Sequence, residues 1–247
     1  HPRRFAEKYK EHDPQRYAAE RQKVMARGQT PAGTHRPICV EQIVDLLQPW
    51  PGKIGLDATL GYGGHAEELL QRIVPGGHLF ALDVDPLELP KTAKRLEALG
   101  YGPEVLTIQR LNFAGMGQLL TQCEAGFDFI LADLGVSSMQ LDEAERGFSF
   151  MRDGPLDMRM SDKGQTAADL VNTLEKDELA RIFWVYGEER ESRRVRSFII
   201  RRRAERLFER TLDLAEVVEK ALAVGASKVY AVRVTIPAGS KVEVTIE

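Results

Sequence analysis

The ten residues Asp57-Ala58-Thr59-Leu60-Gly61-Tyr62-Gly63-Gly64-His65-Ala66 constrain this chain more than any others. A short apolar run, Ile54–Ala58, meets an acid and then three glycines. A helical stripe of Ala66, Leu69, Leu70 and Ile73 follows at once. Glycine lets the backbone turn tightly and lets a ligand approach the main chain. A helix that starts there presents N–H groups without acceptors and a positive dipole end. Three more strands are predicted, at Leu79–Asp83, Val105–Ile108 and Phe129–Ala132, with helical stretches between them. Such alternation predicts an α/β fold with βαβ units on a parallel sheet. Pro90 is expected to delay the helix after the second strand.

The flanks read differently. Residues 1–33 are expected to form a helical extension, and residues 34–140 the α/β core. Val40, Ile43, Val44 and Leu47 mark an amphipathic helix closed by Pro49 and Pro51. Residues 141–165 are loop-like, with Gly147, Gly154, Pro155 and Gly164, and 166–222 are helical, so 141–225 reads as one insertion. Thr211 is the expected N-cap of a helix with the stripe Leu214, Val217, Val218, Ala221 and Leu222. Val229–Ile236 and Lys241–Ile246 alternate around Pro237-Ala238-Gly239-Ser240, which predicts a β-hairpin within 226–247.

Composition bounds the function. With 247 residues, 43% apolar and 29% charged, the chain can bury a full core and is not disordered throughout. No apolar run approaches the ~20 residues of a membrane helix. Two cysteines without a Cys-x-x-Cys argue against a zinc ribbon or a disulfide framework and fit a reducing, cytoplasmic compartment. No apolar signal stretch opens the chain, and Glu7, Glu11, Asp13 and Glu20 argue against a mitochondrial presequence. The net charge of −3 speaks against a nucleic-acid binder, but it is unevenly spread. Residues 1–36 hold nine Lys/Arg against four Asp/Glu, and 190–210 hold nine Arg against three Glu. These stretches are either solvated helix faces or local phosphate contacts.

Gly61-x-Gly63-x-x-Ala66 fits a relaxed dinucleotide fingerprint, and Asp83 ends the next strand, where an acid would hold a ribose hydroxyl. NAD would use the loop for its pyrophosphate. S-adenosylmethionine (SAM) would set its amino-acid end on the same N–H groups. Asp133-Leu134-Gly135-Val136-Ser137-Ser138 follows the fourth strand, and ligands of open α/β sheets bind outside the carboxyl ends of the strands. Asn112-Phe113 lies on the same rim, with Phe113 either stacked on adenine or in the core. The stretch Leu141–Met160 crowds acids, arginines, phenylalanines and methionines into a loop. Its arginines could clamp phosphates and its aromatics stack a splayed base, or Phe148, Phe150, Met158 and Met160 could anchor the loop.

Several segments together resemble the SAM-dependent 16S ribosomal RNA cytosine-N4 methyltransferases. They are His35-Arg36-Pro37-Ile38, Asp57–His65, Ala81-Leu82-Asp83-Val84-Asp85-Pro86, Asn112-Phe113, Asp133–Ser138, Gln140–Met160, Tyr186-Gly187-Glu188-Glu189 and Thr211–Val218. The resemblance spans about residues 34–222. It implies an α/β, class I (Rossmann-like) SAM-dependent methyltransferase core with a helical domain inserted after the fourth strand. It implies SAM bound by Gly63, Gly64, His65, Asp83, Phe113, Asp133 and Gln140, and substrate contacts from Arg146, Asp157 and Arg159. The implied substrate is a cytosine of the decoding centre in 16S ribosomal RNA, within the small subunit, with no metal and no membrane; a homodimer stays open. The exocyclic amine of cytosine is a poor nucleophile, because its lone pair is delocalised into the ring. An acceptor for an N4–H bond favours the pyramidal nitrogen of the transition state. Asp133 is the candidate, or it serves the cofactor alone. A relative that binds without catalysing, and a nicotinamide dehydrogenase, are the alternatives. After Leu222 the family's His-Pro-Ala-Thr-Arg and Ser-Phe-His-Ser-Leu-Glu-Asp-Arg types of segment do not occur in this sequence, and the hairpin reads as remnant or replacement of the last core strands.

Overall fold

Strands β1 (Ile54–Asp57), β2 (His78–Asp83), β3 (Leu106–Arg110) and β4 (Phe129–Leu131) form one parallel sheet in the order β3-β2-β1-β4. All four lie within two residues of their expected positions. The computed structural model describes residues 37–123, 125–223, 232–235 and 243–246. The helix expected over 1–33 and the basic residues of 1–36 fall outside them. The described chain divides into two units, one of residues up to 138 with 160–163, the other of residues 139–159 and from 164 onward.

In the first unit the sheet is covered on both faces, as parallel strands require. Leu79 and Ala81 pack with Leu69, Leu70, Ile73 and Leu96 on one side. Their neighbours Phe80 and Leu82 pack with Leu56, Leu119 and Cys123 on the other, following the two-residue period of a strand. Gly55 pairs with Phe129, and a Cβ there would come within 2.1 Å of the Phe129 ring, so β1 and the aromatic close only over a glycine. Helices α1 (Val40–Leu47), α2 (Gly64–Ile73) and α3 (Leu89–Ala98) and a 3-10 helix (Phe113–Thr121) complete this unit. Helix α3 begins only at Leu89, with five residues between it and the end of β2, the late start expected from Pro90. The proline occupies the first turn, where an N–H would have no acceptor inside the helix and its loss costs nothing. The chain steps outward from β1 to β2 and β3, then returns to the far side of β1 as β4. The strand order therefore reverses between β1 and β4, and a crevice opens at their carboxyl ends.

The second unit takes in α4 (Ser138–Asp142) from its second residue, then α5 (Ala167–Thr173), α6 (Lys176–Val185), α7 (Ser192–Glu205) and α8 (Thr211–Ala223). Its core is Leu156, Val171, Leu179, Val195, Ile199, Phe208, Val217 and Ala221. The Asn172 side chain bonds both the N–H and the carbonyl of Phe208, at 2.9 and 2.8 Å, and fixes the turn into α8. Thr211 is not the N-cap but the first residue of α8. Asp153 caps instead, its Oδ1 accepting from the Leu212 N–H at 3.3 Å. Val232–Thr235 (β5) and Glu243–Ile246 (β6) pair antiparallel, and the turn between them lies outside the described residues.

Five of the nine arginines of 190–210 are ion-paired where they stand. Arg194, Arg196, Arg202, Arg206 and Arg210 pair with Glu191, Asp177, Asp213 and Asp153. Arg203 donates to the Val171 and Leu174 carbonyls. Arg190, Arg193 and Arg201 stand exposed without an ion-pair partner among the described residues.

Candidate active site

The crevice is built by segments that leave β1 and β4. The Ala58 N–H donates to the Leu131 carbonyl, and the Asp133 N–H to Thr59 Oγ1, each at 2.8 Å. The glycine loop between β1 and α2 is held from α3 and from β2. Thr92 Oγ1 donates to the Gly61 carbonyl at 2.6 Å. Arg95 donates twice to the Tyr62 carbonyl, at 3.2 and 2.9 Å, lies 4.2 Å from the Tyr62 ring centroid, and pairs with Glu67. The Gly61 N–H donates to Asp83 Oδ2 at 2.7 Å. Gly63 caps α2 with φ +83°, and a Cβ there would meet Thr92 Cγ2 at 2.9 Å, so both backbone and space demand glycine. Beyond it, the first N–H groups of α2, on Gly64, His65 and Ala66, have no acceptor within the helix.

Beneath this loop sits a carboxylate absent from the expected site. Asp57, the last residue of β1, is 1% exposed. Its Oδ1 accepts from the Thr59 N–H at 3.0 Å, but its buried Oδ2 has no hydrogen-bond partner. Burial, above all, pushes its carboxyl up from 3.8 to about 6. Asp83 and Asp133 push the same way, and the Thr59 N–H and His65 oppose them. The signal in the sequence was an acid closing an apolar strand immediately before the glycines.

Of the expected residues, Gly63, Gly64, His65, Asp83, Phe113 and Asp133 all belong to the first unit. Asp83 is half-buried, and its second oxygen accepts from the Asp85 N–H at 2.9 Å, so it anchors the loop while keeping lone pairs for a further donor. Phe113 is 44% exposed at the start of the 3-10 helix, whose cap is the Asn112 side chain; it is not a core residue. Asp133 is exposed, with its Oδ2 3.8 Å from His65 Nδ1.

Gln140, Arg146, Asp157 and Arg159 belong to the second unit. Gln140 is buried on α4. Arg159 closes its guanidinium fork on Asp157, at 2.9 and 2.6 Å, and holds that carboxyl below its usual range. Arg146 joins them through the Arg159 carbonyl and through the Met158 N–H, with Met158 at φ +60°. The three substrate candidates thus form one knot, in which the Arg159 fork is already engaged.

The family model described as the MraW methylase family matches residues 32–235. Ribosomal RNA small subunit methyltransferase H 1 of Lachnoclostridium phytofermentans is 51% identical over 202 residues, 81% of this chain and 55% of that protein. Ribosomal RNA small subunit methyltransferase H 2 of Alkaliphilus metalliredigens is 50% identical over 201 residues, 81% of this chain and 57% of its own length. Ribosomal RNA small subunit methyltransferase H of Caulobacter vibrioides is 49% identical over 192 residues, 77% and 58%. The chain spans about half the length of the curated relatives it matches. A glycine loop on a parallel sheet is common to many families, but a match of this extent is not: the chain belongs to the MraW methylase family.

Proposed function

We propose that this chain binds SAM and transfers its methyl group to the exocyclic N4 of a cytosine in small-subunit (16S) ribosomal RNA. The observation that carries the reading is the orphaned Oδ2 of Asp57 beneath the free N–H groups of α2. An amino-acid end carries an ammonium and a carboxylate side by side. The Asp57 carboxylate suits the first, and the Gly64 and His65 N–H groups with the dipole of α2 suit the second. A pyrophosphate in the same place would set two negative charges over a buried acid, which favours SAM over NAD. Asp83 would take the ribose hydroxyls and Phe113 the adenine, with Gln140 assigned to the cofactor by the family resemblance.

SAM supplies an electrophilic methyl group on a sulfonium. The chain supplies position and charge. Asp133, exposed at the carboxyl end of β4, would accept the N4–H bond and localise the lone pair on nitrogen as the transition state forms. A base reaches such a crevice only when unstacked from its neighbours. The relatives are named for the small-subunit RNA, and we take that RNA, within the assembled subunit in the cytoplasm, as the partner. Among the described residues no helix is long and apolar enough to cross a membrane.

Transfer of labelled methyl from SAM to small subunits that lack the modification tests the reading. Label on a single cytosine N4 is the expected result. SAM binding without transfer would favour a binding relative, and NAD binding in place of SAM would overturn the cofactor. Light scattering on the same preparation reads whether a homodimer forms.

A further inference from the structure

His65 carries more geometry than a cofactor loop requires. It is the second residue of α2, and its Nε2 lies 2.9 Å from the Ile38 carbonyl oxygen. A carbonyl only accepts, so Nε2 carries the hydrogen and Nδ1 is the basic nitrogen of the ring. Nδ1 in turn lies 3.8 Å from Asp133 Oδ2, with the imidazole 11% exposed and the carboxylate 46%. A bare Nδ1 and a carboxylate oxygen are both acceptors and repel at this range, unless one proton lies between them. The pair is therefore arranged to hold one proton, and a small side-chain movement brings it to hydrogen-bond distance. The backbone of Asp133 is pinned to Thr59 Oγ1, so that movement is left to the side chains.

We propose that His65 is a positioning residue for Asp133, orienting its carboxylate and taking over the proton that the carboxylate acquires from the substrate amine. The inference rests on the methyl-transfer reading above. The step balances. The N4 lone pair forms the new N–C bond while the C–S bond breaks, its electron pair staying on sulfur. The nitrogen, now positive, gives one hydrogen as a proton to Asp133 Oδ2. That proton passes to His65 Nδ1 and from there to solvent, so Asp133 is an acceptor again for the next turnover.

Nitrogen-15 NMR of the His65 ring in the full chain tests the pairing without any cofactor. In the neutral ring the hydrogen is expected on Nε2, and the Nδ1 resonance is expected to move in Asp133→Asn. A hydrogen on Nδ1, or an Nδ1 indifferent to Asp133→Asn, overturns the proposal. The kinetic arm uses His65→Gln, which retains an amide donor for the Ile38 carbonyl and removes the basic nitrogen. SAM affinity by calorimetry is expected to stay within about twofold, which also shows that the site is folded, while turnover falls by about 100-fold or more, the scale of proton-transfer catalysis. Unchanged turnover in His65→Gln, or a loss confined to SAM affinity, overturns the role of His65 alone. Absence of methyl transfer by the unsubstituted chain overturns the underlying reading, and the proton role with it.

Discussion

Asp57 should set a pH dependence of stability that one atom's change removes. Its carboxyl is fully buried, and its folded-state pKa of about 6 stands above the ordinary 3.8. The interval is worth about 3 kcal/mol, at ~1.4 kcal/mol per pH unit. The sign follows from proton binding. Between 3.8 and about 6 the folded state holds a proton that the unfolded chain has released, so stability is fully present below 3.8 and is lost as pH rises through about 6. Asp57→Asn does not titrate. The stability of the variant relative to the unsubstituted chain should therefore swing by about 3 kcal/mol in its favour across that window. A constant offset from the new amide leaves the swing intact. Asp128 and Asp157, whose carboxyls are lowered, contribute equally to both proteins and cancel. Urea denaturation followed by Trp50 fluorescence in a Trp184→Phe background reads the first unit alone. A pH-independent difference, or a swing in the other direction, refutes the burial argument. If Asp57 holds an ammonium, SAM affinity should also strengthen as pH rises through about 6 in the unsubstituted chain and not in the variant.

Asp83→Ala should weaken SAM binding by about 10- to 100-fold, the worth of one charge-assisted contact, because it removes a ribose acceptor and frees the Gly61 N–H; calorimetry giving an unchanged affinity would remove Asp83 from the site. Phe208→Ala empties the centre of the second core, where the ring is 1% exposed, and should cost about 3–5 kcal/mol in chemical denaturation, with a loss under about 1 kcal/mol contradicting that placement.

The strands were readable because each is a short apolar run bounded by glycine or proline, and Leu79–Asp83 needed no tertiary information to be found. Pro90 marked the start of α3 because a proline is tolerated only in the first turn of a helix. Thr211 was misjudged because the capping oxygen comes from Asp153, nearly sixty positions earlier. The site was legible as a loop and a rim of acids, since the glycines and the acids closing β1 and β2 are local features. The state of Asp57 was not, because its burial depends on the whole sheet. Nor was the engagement of Arg159, whose guanidinium closes on Asp157 across a Met158 in the left-handed conformation.

The grip of Thr92 and Arg95 on the glycine loop couples occupancy to a helix behind the site. A ligand that binds only the folded loop raises the free energy of every opening that releases the loop, by about 2.7 kcal/mol at a hundredfold excess over Kd. Opening α3 is one such event, because it takes both side chains away. The amide protons of Leu89–Ala98 would then exchange more slowly in the liganded protein, whether or not the helix touches the ligand. By the same linkage, a substitution at Arg95 is felt at the crevice as weaker binding with every contacting group still in place.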